Sequence, residues 1–284
     1  MRFHRIHIPL LIALILSLPH CAQEPGAGIV YASSGHPAHA IVNEMVQGRA
    51  RSIRILPPGF SPHVYDLKPT DIRKISSARA VIFINREMDG WVVRAGAAAE
   101  IELFSLLPQS FVIRENGAED PHFWLDPVAV REILPELNDR LCALDPEGCP
   151  VYTANADRFS DRLGALDRRL EGLLRGKKGS VILSHPSLNY LLKRYGLRHA
   201  GSIEPFPGRE PSLLHLNMLA RRIKAEDVRA VLTEPQLPSG PAETLSEAVD
   251  LPLRLSDPYG GFPGRESYEE ILDFNAKVLA EVLR

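Results

Sequence analysis

The chain of 284 residues is short of one-signed charge, of long apolar runs and of cysteine. Its 33 Lys and Arg nearly balance 35 Asp and Glu, for a formal net charge of -2. The basic stripe of a nucleic-acid binder is therefore missing, and nucleic acid is excluded as a partner. The longest apolar run, Ile8 to Leu18, falls short of the roughly 20 residues that span a bilayer. The sequence also lacks a His-Glu-x-x-His helix and a Gly-x-Ser-x-Gly elbow, which removes the commonest signatures of a zinc protease or a serine hydrolase.

What is present starts with a leader. Arg2 and Arg5 precede the apolar run and small, polar residues follow it, the layout of a secretory signal over residues 1–21. The mature chain is expected outside the cytoplasm, in the periplasm or on the outer face of the membrane. Cys21, in "LSLPHC", stands where bacterial lipoproteins carry the acylated cysteine, although His20 replaces the usual small residue. Two routes stay open, a membrane tether through Cys21 or ordinary cleavage. His4, His7 and His20 go with the leader. The other two of the three cysteines, Cys142 and Cys149, flank "ALDPEG", and in an oxidising compartment they are expected to form a local structural disulfide.

From Gly28 onward β-rich runs alternate with helical patterns. "GIVYAS", "SIRIL", "ARAVIFIN" and "SFVIR" read as buried strands, with "HAIVNEMVQG", "KPTDIRKISSA" and "REMDGWVVRAGAA" as the helices between them. The pattern restarts after Lys178 with "GSVILS", "RHAGSI", "VRAVLTE" and "LPLRLSD", separated by three further helical segments. Two parallel-sheet α/β lobes follow, over residues 28–149 and 177–284. Between them, residues 150–176 carry an apolar stripe through Tyr152, Ala156, Phe159, Leu163, Leu166, Leu170 and Leu173 at alternating steps of four and three. Pro150 suits the start of this helix and Gly176 its end, so the lobes are joined by a stiff strut. No internal repeat and no low-complexity segment is evident.

In open α/β sheets ligands collect beyond the carboxyl ends of the strands. His63 lies past "SIRIL", His122 past "SFVIR", His185 directly after "SVILS" and Asp257 directly after "LPLRL". Three imidazoles and one carboxylate suit a tetrahedral divalent site, with nitrogen and oxygen about 2.0–2.2 Å from zinc. Pro62, Pro121, Pro186 and Pro258 stand beside these positions and stiffen the backbone that holds each donor. Any one of these histidines alone would be an ordinary hydrogen-bonded loop residue; the shared placement makes them a metal site.

Residues 28 to the C-terminus resemble the solute-binding proteins of zinc and manganese ABC importers, a family that includes adhesin-like lipoproteins. The likeness is carried by "PPGFSPHVYDLKPTDI", "ARAVIFIN", "DPHFWLDP", "YTANADRF", "SHPSLNYLLKRYGL", "TEPQ" and "LSDPYGG", with "DPHFWLDP" the most diagnostic. The resemblance implies an α/β protein of two lobes, each with a four-stranded, mostly parallel sheet flanked by helices, joined by one long rigid helix. It implies metal held between the lobes by His63, His122, His185 and Asp257. It also implies an ABC permease and its ATPase as partners of a monomer. Ser61 stands where the family often has an acid, and residues 91–119 lack the histidine-rich loop of many zinc members. Manganese members tend to place glutamate where His185 stands, and borderline nitrogen donors suit the later metal, so zinc is expected ahead of manganese or iron.

Other residues take lesser roles. Glu234, in "VLTEPQ", is either a group that orients a ligand or a solvent-exposed strand end. His36 and His39 start a helix and could form an accessory metal site, or be plain helix-start residues. His199 and His215 read as structural, and Trp91 and Trp124 as packing. An envelope hydrolase would need an open coordination position, whereas four donors fill this one. A surface adhesin has no signature of its own here. Metal binding is expected to weaken on acidification, since a free imidazole titrates near 6.5.

Overall fold

The computed structural model describes residues 28–284 apart from 116, 206, 207 and 210. The leader, Cys21 and the first three histidines lie outside the described residues. In chain order the first lobe contains β1 (Val30–Ser33), α1 (His36–Val46), β2 (Arg51–Arg54), α2 (Pro69–Ser76), β3 (Ala80–Phe83), α3 (Arg86–Asp89), β4 (Glu100–Glu102), β5 (Arg114–Glu115), β6 (Ala118–Glu119) and α4 (Pro127–Leu144). Helix α5 (Cys149–Leu174) leads to β7 (Ser180–Leu183), α6 (Asn189–Arg194), β8 (His199–Ser202), α7 (Leu213–Ala225), β9 (Val228–Thr233), α8 (Gly240–Val249), β10 (Leu253–Leu255) and α9 (Tyr268–Val282). Among the described residues no helix is long and apolar enough to cross a membrane.

Two four-stranded sheets result, ordered β2-β1-β3-β4 and β10-β9-β7-β8, with every pairing inside them parallel. Read from the other edge, the second order is that of the first. Each lobe begins at an inner strand, steps outward once and then crosses back. A switch point therefore falls between β1 and β3 and between β7 and β9, where the loops part and leave a crevice. The sequence shows no repeat because the two lobes share a topology and not their side chains.

The fourth strand of the first sheet corrects the reading of "SFVIR". Strand β4 takes the edge with Ile101 pointing inward, while Glu100 and Glu102 are held by Arg86 at 2.8 Å through its guanidinium and 2.9 Å through its amide. An edge strand needs only one buried residue and is safer when charged. Residues 109–111 instead form a turn followed by the buried Val112, and the chain continues into the antiparallel two-residue pair β5 and β6. His122 thus leaves a small hairpin and not a sheet strand.

Helix α5 follows the expected stripe from Tyr152 to Leu170, but the last buried position is Leu174, while Leu173 is 39% exposed. A step of four from Leu170 keeps the residue over the core. At 26 residues the helix is about 39 Å long. The disulfide joins Cys142 to Cys149 across the turn between α4 and α5. One apolar cluster runs from Val81 and Phe83 through Phe159 and Leu166 to Leu183, Leu232 and Leu272, so both lobes and the strut share a core. The last helix, α9, returns to pack beside α5 and α1. Arg162 of α5 ties Glu44 of α1 to Glu269 of α9.

Candidate metal centre

Each imidazole is aimed by a different local device. His63 sits in a single turn of Pro62–Val64 beyond β2, and the Trp91 indole donates to the Pro62 carbonyl at 2.8 Å, fixing that turn. His122 follows Asp120 and Pro121; Asp120 Oδ1 accepts from its amide at 2.9 Å and from its Nδ1 at 2.6 Å. The proton is thereby placed on Nδ1 and the Nε2 lone pair is left free, the carboxylate–histidine arrangement that raises ligand basicity. His185, at the end of β7, turns Nδ1 to the Glu204 carbonyl at 3.3 Å, and its Nε2 is buried without a hydrogen-bond partner. A buried polar atom left unpaired is costly unless something else meets it.

The three rings come together with centroids 6.0, 5.4 and 5.2 Å apart, and one nitrogen from each lies within 4.8 Å of the other two. Among the described residues this is the group of His, Cys, Asp and Glu donors that could hold an ion. Burial, then the charges of the neighbouring imidazoles, hold His63 down to about 2 and His185 down to about 3. Both are therefore neutral at neutral pH, with lone pairs available to a cation. The cavity they line is about 20 Å³, room for one water-sized sphere, and is closed by Met88, Trp124, Glu234 and Tyr259. A wider cleft of about 370 Å³ opens on the same imidazoles, with Glu87, Glu115, Glu119 and Asp120 on its walls.

Asp257 does not join that group of nitrogens. It is fully buried, and its Oδ1 accepts from the Gly260 amide at 2.9 Å, from the Tyr259 amide at 3.3 Å and from Gln236 Nε2 at 2.9 Å. Asn275 clamps its main chain at both the amide and the carbonyl, each at 2.8 Å. Its Oδ2 makes no hydrogen bond and lies 3.3 Å from Arg265 Nε.

Glu234 lines the cavity and accepts from Ser187 Oγ at 2.9 Å, so it braces the loop after His185 instead of an imidazole edge. Burial pushes its carboxyl up to about 8. His36 and His39 do not form an accessory site. His36 donates from Nε2 to the Glu266 carbonyl at 2.9 Å and takes a hydrogen bond from Arg54 on Nδ1 at 2.8 Å, which uses both ring nitrogens. His39 pairs Nδ1 with Ser52 Oγ at 2.9 Å. His215 is structural, bonded to the Ser202 carbonyl at 2.8 Å. Trp91 and Trp124 are both buried. Sequence reasoning missed Asp120, although its place two residues before His122 was a usable signal. It also missed Tyr259 and Arg265, for which no local pattern exists.

A family profile described as ZnuA, zinc-uptake complex component A periplasmic, matches residues 30–282. The chain belongs to that family. It is 24% identical over 270 residues to the zinc-binding lipoprotein AdcA of Streptococcus pneumoniae serotype 4, covering 87% of this chain and 54% of AdcA. The chain thus spans about half the length of that relative. It is also 24% identical over 298 residues to the high-affinity zinc uptake system protein ZnuA of Brucella abortus, covering 87% of this chain and 89% of that one. The solved laminin binding protein Lmb of Streptococcus agalactiae, described as a bifunctional protein with adhesin and metal transporting activity, superposes with a TM-score of 0.81 at 22% identity, over 90% of this chain and 100% of that one. At that identity the likeness establishes the fold: two parallel four-stranded lobes on a long connecting helix.

Proposed function

We propose that this chain is an extracytoplasmic solute-binding protein that captures zinc between its lobes and delivers it to an ABC permease driven by a cytoplasmic ATPase. The observation that carries the reading is the convergence of three imidazoles from separate loops of both lobes on one cavity the size of an ion. Zinc–nitrogen bonds of about 2.0–2.1 Å in a tetrahedron set nitrogens about 3.4 Å apart, so nitrogens that lie within 4.8 Å of one another close by at most about 1.4 Å on the ion. Asp257 is the fourth ligand in this proposal; its Oδ2, free of hydrogen bonds, is the donor, and Arg265 yields it to the metal. Three nitrogen donors favour zinc over manganese or iron. The site is complete within one chain, which suits a monomer.

The family is one of uptake components and not of enzymes, so the hydrolase reading falls away, and nothing in this chain favours an adhesin. The core shared by both lobes and α5 opposes a wide hinge and favours small loop movements during exchange. A lipid anchor at Cys21 is decided by whether the mature protein partitions into membranes and gains acyl mass. Elemental analysis of protein isolated from its own envelope tests the metal, with calorimetric titration of zinc and manganese into the wild type and His185→Glu. Zinc retained by the wild type, with preference moving toward manganese in the variant, is expected. Stoichiometric manganese and no zinc in the wild type would overturn the assignment.

A further inference from the structure

The loop that carries Asp257 belongs to the second sheet but is gripped by the first lobe. Trp124, two residues beyond His122, donates from its indole to the Pro258 carbonyl at 2.7 Å. Tyr259 follows with its ring 4% exposed, edge-on to Trp124 at 6.1 Å, and reaches the end of β1. There it meets Gly35. A Cβ at that position would overlap the Tyr259 hydroxyl and ring, so only glycine leaves the slot open. The hydroxyl is buried without a hydrogen-bond partner, which means that shape and not polarity seats this ring. Farther along the same loop, Gly261 has a φ of +89° and passes so close to the first lobe that a Cβ there would press on the Arg54 guanidinium and crowd the His36 ring. His36 then closes the grip on the Glu266 carbonyl at 2.9 Å. The amides of Tyr259 and Gly260 hold Asp257 Oδ1 together with Gln236 Nε2.

We infer that Tyr259, seated in the slot left by Gly35, is a positioning residue: it locks the Asp257 loop onto the lobe that carries His63 and His122, presents the carboxylate to the metal and slows the metal's departure. The inference rests on Asp257 being a ligand. Locking the carboxylate to the first lobe leaves His185 and the wider acidic cleft as the side on which the site opens. Withdrawal of the Tyr259 ring would free the whole carboxylate arm in one step.

The experiment is a double-mutant cycle on the full chain, read as the zinc off-rate during chelator competition, with melting temperature recorded beside it. Tyr259→Ala and, from the opposite wall, Gly35→Ala are expected to speed zinc loss by about tenfold to a hundredfold, the usual size of a lost outer partner. In an Asp257→Ala background neither change should add anything further. Tyr259→Phe, which keeps the ring, should leave the off-rate within about twofold of the wild type, because the hydroxyl has no partner to lose. Equal acceleration with and without Asp257 would overturn the inference, since the residue would then act only through general stability. An unchanged off-rate in Asp257→Ala would sink the ligand assignment itself and the inference with it. A large effect of Asp257→Ala with none from Tyr259→Ala or Gly35→Ala would sink the inference alone. Should Tyr259→Ala fail to fold, Gly35→Ala reads the same coupling.

Discussion

In the first lobe β1 and β3 are embedded in a large apolar cluster that continues through α5 to residues of the second sheet. Ile182, Leu219 and Val231 of the second lobe instead form a smaller cluster of their own. Helix α7, which covers this smaller cluster, leaves Leu213, Leu214 and Met218 exposed by 80%, 72% and 58%. The strand order is the same on both sides, so topology did not set the difference; it lies in how much of the available apolar surface each lobe buries. The first lobe is the fixed wall of the site and the outer part of the second is the looser one.

The largest expected effect breaks the site itself. His185→Ala removes the imidazole supplied by the second lobe and should weaken zinc binding by more than the hundredfold ceiling typical of outer partners, measured by competition with a chelator of known affinity. Next comes the core. Leu166→Ala, in the shared cluster, should cost about 2–5 kcal/mol and lower the melting of both lobes together. Leu219→Ala should instead lose hydrogen-exchange protection chiefly around β8 and α7. Uniform loss of protection in the second variant would show that the two clusters are one cooperative unit.

A smaller effect separates the devices that aim the imidazoles. Asp120→Asn keeps the shape but not the charge behind His122 and should lower zinc affinity by about tenfold to a hundredfold. His185 is aimed instead by the main-chain carbonyl of Glu204, at 3.3 Å from its Nδ1.

The smallest concerns pH. Burial lowers His36 and His39 to about 4, His63 to about 2 and His185 to about 3. Below about 6.5 the unfolded chain takes up protons that the fold refuses, so stability falls as pH drops from that value toward 4. Three of these four rings belong to the first lobe, which should therefore lose exchange protection first in acid. The same values revise the expected acid loss of zinc. His63 and His185 stay neutral through pH 5, and calorimetry between pH 7 and 5 should show a shallower decline than three free imidazoles would give.

Much of this was legible in the chain. The alternation of strands and helices, the strut between Pro150 and Gly176 and the pairing of Cys142 with Cys149 all rest on local rules: side-chain period, proline and glycine punctuation, and a short loop between two thiols. The placement of His63 and His185 was legible too, because each follows an apolar run that forms a sheet strand; His122 instead arrives from the β5–β6 hairpin. The choice of Glu100–Glu102 over residues 110–114 was not, since either segment has strand character and only competition for the edge of β3 decides. The same holds for Leu174 over Leu173.

The sequence by itself determined which donors exist and that His63, His185 and Asp257 stand beyond the carboxyl ends of sheet strands, because those follow from the periodicity of neighbours in the chain. Only the tertiary structure decided that His36 is a clip between Arg54 and Glu266 and that Tyr259 lies against Gly35. Those contacts join parts of the chain whose meeting depends on how every helix and strand between them packs, and no local preference encodes that.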